Sequence, residues 1–250
     1  MAGGPDLDLD PMGAADEISA ELRVLGTPAR AESERAYLKS DLEFFGTSVP
    51  HMRTVIKRFL RARPGLTHDE LIATCRALWA PVGPLAIHER RAAAVMLLGE
   101  RPALLSVDDL VMIEQFIRES KTWAYVDTLA GDVVARLAAV DQATLAVLDR
   151  WLVDDDFWIR RSAVLALRHL LRDGRELNRF FRYADTLLPE KEFFIRKVLG
   201  WVARETGRRY PDDVSAWLRR NQSRMNGVTI REAVKYLPDG DEVLALWKAR

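Results

Sequence analysis

One cysteine, Cys75, and four scattered histidines are the chain's whole stock of thiol and imidazole ligands in 250 residues. A lone thiol excludes an internal disulfide, a cysteine-held iron–sulfur centre and a multi-cysteine zinc site. His51, His68, His88 and His169 show no His-Glu-x-x-His or comparable spacing, so metal catalysis has no support. There is no glycine-rich phosphate loop, and no cofactor is expected. A run of about 18 apolar residues is missing, as is a charged start leading into an apolar core. The reading is a protein of the reducing cytoplasm with no membrane partner. Cys75 lies in an apolar stretch and reads as a buried structural thiol, and nothing marks Lys197 as a Schiff-base nucleophile. Alternating strand patterns bounded by hairpin turns are missing too, which leaves helices.

What is present is helical and repeats. Phe157-Trp158-Ile159-Arg160-Arg161 returns thirty-six positions later as Phe193-Phe194-Ile195-Arg196-Lys197, and Arg168 returns as Arg204. Breaks near Arg63-Pro64-Gly65, Ala80 to Pro84, Glu100-Arg101-Pro102, Asp173-Gly174, Leu188-Pro189 and Tyr210-Pro211 restart helices every 16 to 21 residues. Two such helices make one period. A period of about 35 to 45 residues built from a helix pair is the mark of an α-solenoid, because one pair cannot bury its apolar face alone. The class expected is all-α. Pro50 suits the first turn of a helix through Leu60, Thr67 with Glu70 forms a capping-box pattern, and Ser106 with Asp109 echoes it.

The formal charge is zero, yet residues 1 to 21 hold six acids and no Lys or Arg, leaving 37 basic against 31 acidic residues, a net +6, in the body. Such a body suits a polyanion, or simply a solvated surface. Residues 1–22 read as an acidic, disordered leader and residues 23–250 as a single domain.

Helical spacing sorts the faces. Val126, Leu129, Val133 and Leu137 form one core stripe; Ile159, Ala163, Ala166 and Leu170 form another; Ile195, Leu199 and Val202 form a third. Trp123 and Asp127 lie off the first stripe on an i, i+4 face that continues to Gly131, whose missing side chain leaves room beside them. Trp201 stands in a line of cations, Lys197, Arg204 and Arg208. Tyr37, Trp123, Trp201, Asp127 and Arg161 together would suit a cationic ligand. Aromatic faces attract positive charge, a carboxylate in a partly desolvated cleft stabilises it, and a guanidinium holds a phosphate. Taken singly, Trp123 is also a packing aromatic, Asp127 a first-turn charge favoured by the helix dipole, and Arg161 a surface cation.

These residues stand in a longer pattern. It comprises Tyr37-Leu38-Lys39-Ser40, Phe45-Gly46-Thr47-Ser48-Val49-Pro50 with Arg53, Leu78-Trp79, Glu89-Arg90, and Thr122-Trp123-Ala124-Tyr125-Val126-Asp127. Trp158 to Arg161, Lys191 to Lys197, Gly200-Trp201 and Arg204-Glu205 complete it. The pattern resembles the HEAT-like repeat DNA glycosylases of the AlkD family, which remove alkylated purines from DNA, over roughly residues 30 to 237. The resemblance implies a HEAT-like solenoid with a concave basic face and a cofactor-free monomer acting on double-stranded DNA that contains alkylated bases. It places Trp123, Asp127 and Trp201 at the catalytic positions, Arg161 where backbone is gripped near the lesion, and Tyr37 as the remaining aromatic of the cleft. Arg53, Lys57, Arg58, Arg90, Arg91, Arg160, Arg168, Lys197, Arg204 and Arg208 are the candidates for phosphate contact, about half of them expected to touch DNA. The family often carries Trp-Trp-Asp-x-Val-Asp, so Thr122, Ala124 and Tyr125 are departures that bear on local support and substrate range. Two rivals stand beside this reading: a non-catalytic relative that binds damaged or branched DNA, and a solenoid that serves as a protein scaffold.

Overall fold

The computed structural model describes residues 9–249, and no strand occurs among them beyond two isolated bridges, Glu43 with Ile87 and Val82 with Leu85. In chain order the helices are α1 (Pro11–Leu25), α2 (Pro28–Leu38), α3 (Val49–Ala62), α4 (His68–Trp79), α5 (His88–Glu100), α6 (Leu110–Ser120), α7 (Trp123–Thr128) and α8 (Ala135–Val140). They continue as α9 (Ala143–Trp151), α10 (Phe157–Leu165), α11 (Arg168–Arg172), α12 (Leu177–Leu187), α13 (Phe193–Gly207), α14 (Pro211–Arg220), α15 (Gly227–Ala233) and α16 (Gly240–Lys248). A π-helical turn, Leu129–Val134, lies between α7 and α8 in the chain. The all-α helical-repeat class is what the chain adopts, and no helix among the described residues is long and apolar enough to cross a membrane. The sequence reading places residues 23–250 in one domain. The described residues group into two compact units, the first running to Asp109 and taking in Thr122–Thr128, the second made of Leu110–Lys121 and the chain from Leu129 onward.

Helix starts follow local chemistry. Asp10 caps α1 by accepting from Met12 N, Ser48 caps α3 by accepting from His51 N, and Thr67 and Glu70 close a full capping box on α4. Ser106 accepts the backbone N–H of Asp109 on its carbonyl while Asp109 Oδ2 accepts from Ser106 N at 2.8 Å.

In the first unit α1 packs on α3, α4 and α5. This corrects the expectation of a disordered leader. Residues 11–22 belong to α1, which buries Ala14, Ala15, Ile18 and Leu22, and of this leader residues 1–8 lie outside the described ones. The acid-rich composition hides an i, i+1, i+4, i+8 apolar stripe. Burying Ile18 and Leu22 contributes about 1.5–3 kcal/mol each. The acids turn outward onto cations of the body: Glu17 pairs with Arg63 at 2.6 Å, Glu21 with Arg58, and Asp16 with Arg90 at 3.4 Å. The leader therefore cancels part of the positive charge that composition assigns to the body.

A buried carboxylate ties α5 to the loop before α3. Glu89, fully buried, accepts backbone N–H groups from Phe45 at 2.9 Å, Gly46 at 2.6 Å and Thr47 at 3.1 Å. Gly46 has φ +80°, and a Cβ there would sit 2.1 Å from Thr27 O, so only glycine passes. Thr47 Oγ1 donates to Leu22 O at 2.5 Å, which fastens the same loop to α1.

In the second unit the repeat becomes a ladder of carboxylates bridging successive helix pairs. Glu114 accepts from Trp151 Nε1 at 2.7 Å, Asp149 from the Tyr183 hydroxyl at 2.7 Å, and Asp185 from Trp217 Nε1 at 2.8 Å. Burial alone would raise the Glu114 carboxyl, but Arg118, Arg150 and Trp151 hold it below the usual range. The repeated Phe-x-Ile-Arg segments form α10 and α13. Asp156 and Glu192 cap them in equivalent positions, and Phe157 stacks on Phe194 at 6.2 Å with planes 7° apart. All the residues of the three expected core stripes are buried.

Candidate functional site

In the first unit, the face of α7 that carries Trp123 and Asp127 is half-exposed, whereas Tyr125 and Val126 on its other side are fully buried. An α-helix puts residues four apart one above the other, so the indole and the carboxylate share that face. Tyr37, 72% exposed near the end of α2, meets Trp123 edge to face with ring centroids 6.0 Å apart and planes at 89°. Lys39 follows in the left-handed region, φ 50°, and ends α2 just past the tyrosine. Three of the expected cleft residues therefore come together here.

Tyr125 supplies local support where the chain departs from the familiar pattern. Its hydroxyl lies 2.6 Å from His88 Nδ1 and donates to His88 O at 3.2 Å, and its ring meets Trp79 at 5.7 Å. A neutral imidazole carrying its proton on Nδ1 satisfies both bonds. His88 stacks on Phe44 at 4.6 Å, and burial pushes its pKa down to about 4. A histidine with a depressed folded pKa is protonated first in the unfolded chain. Stability is thus intact above about pH 6.5 and declines between that value and about pH 4, by up to roughly 3 kcal/mol from this group. His88→Gln should flatten that part of the stability–pH curve in urea titrations; a curve as steep as wild type would remove His88 as its source.

In the second unit, Trp201 on α13 is half-buried with the Arg168 guanidinium carbon 5.1 Å above its ring. Gly131, within the π-helical turn, leaves the space that Arg168 fills: a Cβ on Gly131 would lie 2.8 Å from Arg168 Nη1. Sequence spacing assigns that room to Trp123 and Asp127. The structure gives it to an arginine thirty-seven positions downstream.

The other expected cations separate into anchors and free groups. Arg90 is 2% exposed and donates to Ala77 O at 2.8 Å, so it braces α4 and α5 rather than meeting a phosphate. Arg161 is 3% exposed, with Nη1 donating to Phe194 O at 2.7 Å, which makes it part of the interior wall and not the surface cation of the plainer sequence reading. Arg160 reaches Asp154 O at 2.5 Å, Asp155 O at 2.9 Å and Glu190 Oε2 at 2.9 Å, and its counterpart in the next repeat, Arg196, reaches Glu190 O at 2.9 Å. Both grip the turn that precedes their helix. Arg204 is held by Glu232 and, at 2.9 Å, by Glu205, while Lys197 lies 3.4 Å from Glu232. Burial would raise Glu232, but Lys235, Lys197 and Arg204 keep its carboxyl low. The pattern of cations is real, but much of it is spent inside the fold because each repeat needs to fasten its turns. Arg53 and Lys57, exposed on α3, and Arg168 carry no ion pair with a described residue.

Three features left little trace in the sequence. The π-helical turn has none, since an added residue per turn does not alter composition. Glu89 looks like any first-turn acid. The third is a cleft of about 270 Å³ between α11 and α13, lined by Arg168, His169, Arg172, Glu205, Arg208 and Arg209 among others. Its only hint is the return of Arg168 as Arg204. Among the described residues no cluster of His, Cys, Asp and Glu is arranged to hold a metal ion. Cys75 is fully buried, its thiol pushed up by burial.

The sequence model of a family described as DNA alkylation repair enzyme matches residues 18–237. Among solved structures the chain is similar to a protein of Enterococcus faecalis described as a predicted DNA alkylation repair enzyme. The TM-score is 0.76 and the identity 20%, over 85% of this chain and 97% of that one. It is also similar to AlkD2 from Streptococcus mutans, with a TM-score of 0.56 and 15% identity, over 92% of this chain and 100% of that one. At these identities the likeness is one of fold. No curated protein matches the sequence.

Proposed function

Because the chain belongs to the DNA alkylation repair enzyme family, whose model covers residues 18–237, we propose that it is a DNA glycosylase. Its substrates are purines alkylated at N3 or N7, such as 3-methyladenine and 7-methylguanine, in duplex DNA. The observation that carries this reading is the pairing of Trp123 and Asp127 on one half-exposed face of α7, with Tyr37 set edge-on against the indole. A large aromatic and a carboxylate one turn apart, kept out of the core while Tyr125 and Val126 fill it, suit a ligand in which positive charge develops.

The chemistry needs little machinery. A purine alkylated at N3 or N7 is already cationic, so it departs as a neutral base without a general acid. As the C1′–N bond stretches, positive charge moves into the deoxyribose. Asp127, as a carboxylate, stabilises that charge and orients the water that adds to C1′; the water's proton passes to the carboxylate or to solvent and an abasic sugar remains. Trp123 packs on the sugar, and the family resemblance sets Trp201 against it as well, each contact contributing about 0.5–2 kcal/mol of cation–π stabilisation. No cofactor takes part, and the enzyme acts as a cytoplasmic monomer. Exposed Arg53 and Lys57 meet the DNA backbone, so duplex affinity falls as salt rises.

This mechanism separates lesions by charge. In single-turnover assays, duplexes carrying 7-methylguanine should lose the base whereas duplexes carrying uncharged hypoxanthine should not. Equal release of both would rule out departure without a general acid.

A further inference from the structure

The cleft between α11 and α13 concentrates positive charge that the fold cancels only in part. Four arginines and one histidine line it against a single carboxylate, Glu205. Glu205 is already engaged by Arg204 at 2.9 Å and by Arg208 at 3.7 Å. Arg172 has a partner in Asp173 at 3.3 Å, but among the described residues Arg168 has no carboxylate and the Arg209 side chain has only the Arg172 carbonyl, at 3.1 Å. Burial is the first cause that holds His169 below its ordinary range; the charges of Arg172, Arg136 and Arg168 add to it, and the charge of Asp132 opposes them. About 270 Å³ is less than the roughly 300–1,000 Å³ of sites for drug-sized ligands, and it suits one small anionic group.

Arg168 is held by a ring and a backbone gap rather than by a carboxylate. It lies over Trp201 at 5.1 Å and occupies the gap left by Gly131 in the π-helical turn. A guanidinium fixed on two sides, with its fork free of carboxylates, is preorganised for bidentate contact with a phosphate oxygen pair.

We propose that this cleft seats a backbone phosphodiester of the bound DNA, and that Arg168, clamped between Gly131 and Trp201, ties the position of that phosphate to the Trp201 indole. The proposal rests on the reading of the protein as a DNA glycosylase with Trp201 against the lesion sugar. A phosphodiester flanking that sugar is covalently tethered within reach of Trp201; a free phosphate has no such tether. Gly131 is thus a specificity feature of the site: its missing methyl group keeps Arg168 in place.

The test uses two substitutions. Arg168→Gln removes the charge. Gly131→Ala leaves the charge but pushes the flexible end of Arg168 aside, in a helical setting where alanine is ordinarily favoured over glycine, so the fold is retained. Duplex affinity of each full-length variant is measured against salt, and the His169 imidazole is followed by NMR, identified by its loss in His169→Gln. In wild type, adding undamaged duplex at fixed ionic strength should shift the His169 resonance and raise its pKa. Arg168→Gln should lower the slope of log Kd against log salt by about one phosphate contact, and both variants should slow 7-methylguanine release at least tenfold. A His169 response to inorganic phosphate but none to duplex overturns the proposal, as does an unchanged salt slope in Arg168→Gln or undiminished release by Gly131→Ala. A wild type that shows the duplex-induced His169 shift and the salt slope but releases no base retains the phosphate seat and refutes the glycosylase reading.

Discussion

Asp127→Asn should cut single-turnover release of 7-methylguanine by about 10²- to 10³-fold while leaving the fold and duplex affinity intact. The two side chains have nearly the same shape, so what is lost is the charge. At an effective dielectric near 20, a carboxylate about 4 Å from a developing cation is worth roughly 4 kcal/mol, and the half-exposure of Asp127 reduces that figure. The packing of α7 runs through Tyr125 and Val126 on the opposite side, which the substitution does not touch. Circular dichroism and duplex binding should therefore match wild type. Excision within threefold of wild type would mean that Asp127 is not the group that meets the charge.

Glu89→Ala should have the largest effect on stability, about 3–5 kcal/mol, because it strands three backbone N–H groups at once, those of Gly46 and Thr47 buried and that of Phe45 partly so. Burial pushes the Glu89 carboxyl up while those N–H groups pull against it, which is the sign of a carboxylate kept in the interior by its bonds. Without it the turn at Phe45 to Thr47 loses its anchor to α5. Urea denaturation measures the loss; Glu89→Gln, which keeps one acceptor oxygen, should fall between the variant and wild type. A loss below about 1 kcal/mol for Glu89→Ala would show that the loop holds itself through Thr47 and Gly46.

Helix boundaries and core faces were legible because they depend on neighbours in sequence. Pro50 sits in the first turn of α3, Thr67 and Glu70 form their capping box, and the apolar stripes of α7, α10 and α13 are buried. The thirty-six-residue repeat pointed to equivalent helices, and Phe157 and Phe194 do stack. The leader was misread because a charge count ignores period: Ile18 and Leu22 lie on one face of α1 while its acids lie on others. Cations were harder still. Sequence position cannot distinguish Arg160, bound to the carbonyls of Asp154 and Asp155, from Arg53, which is exposed. The partner that decides each case is tens of residues away or belongs to a turn. Gly131 shows the same limit: its vacancy was visible, but Arg168, the side chain that fills it, is brought there by α11.

The most direct test of the central claim is to incubate the wild-type protein with duplex DNA methylated at purines and to identify the released bases by chromatography. Free 7-methylguanine and 3-methyladenine are the expected products, with abasic sites left in the strand. Salt-sensitive duplex binding without release of either base would contradict it and would assign the chain to binding alkylated DNA without cleaving it.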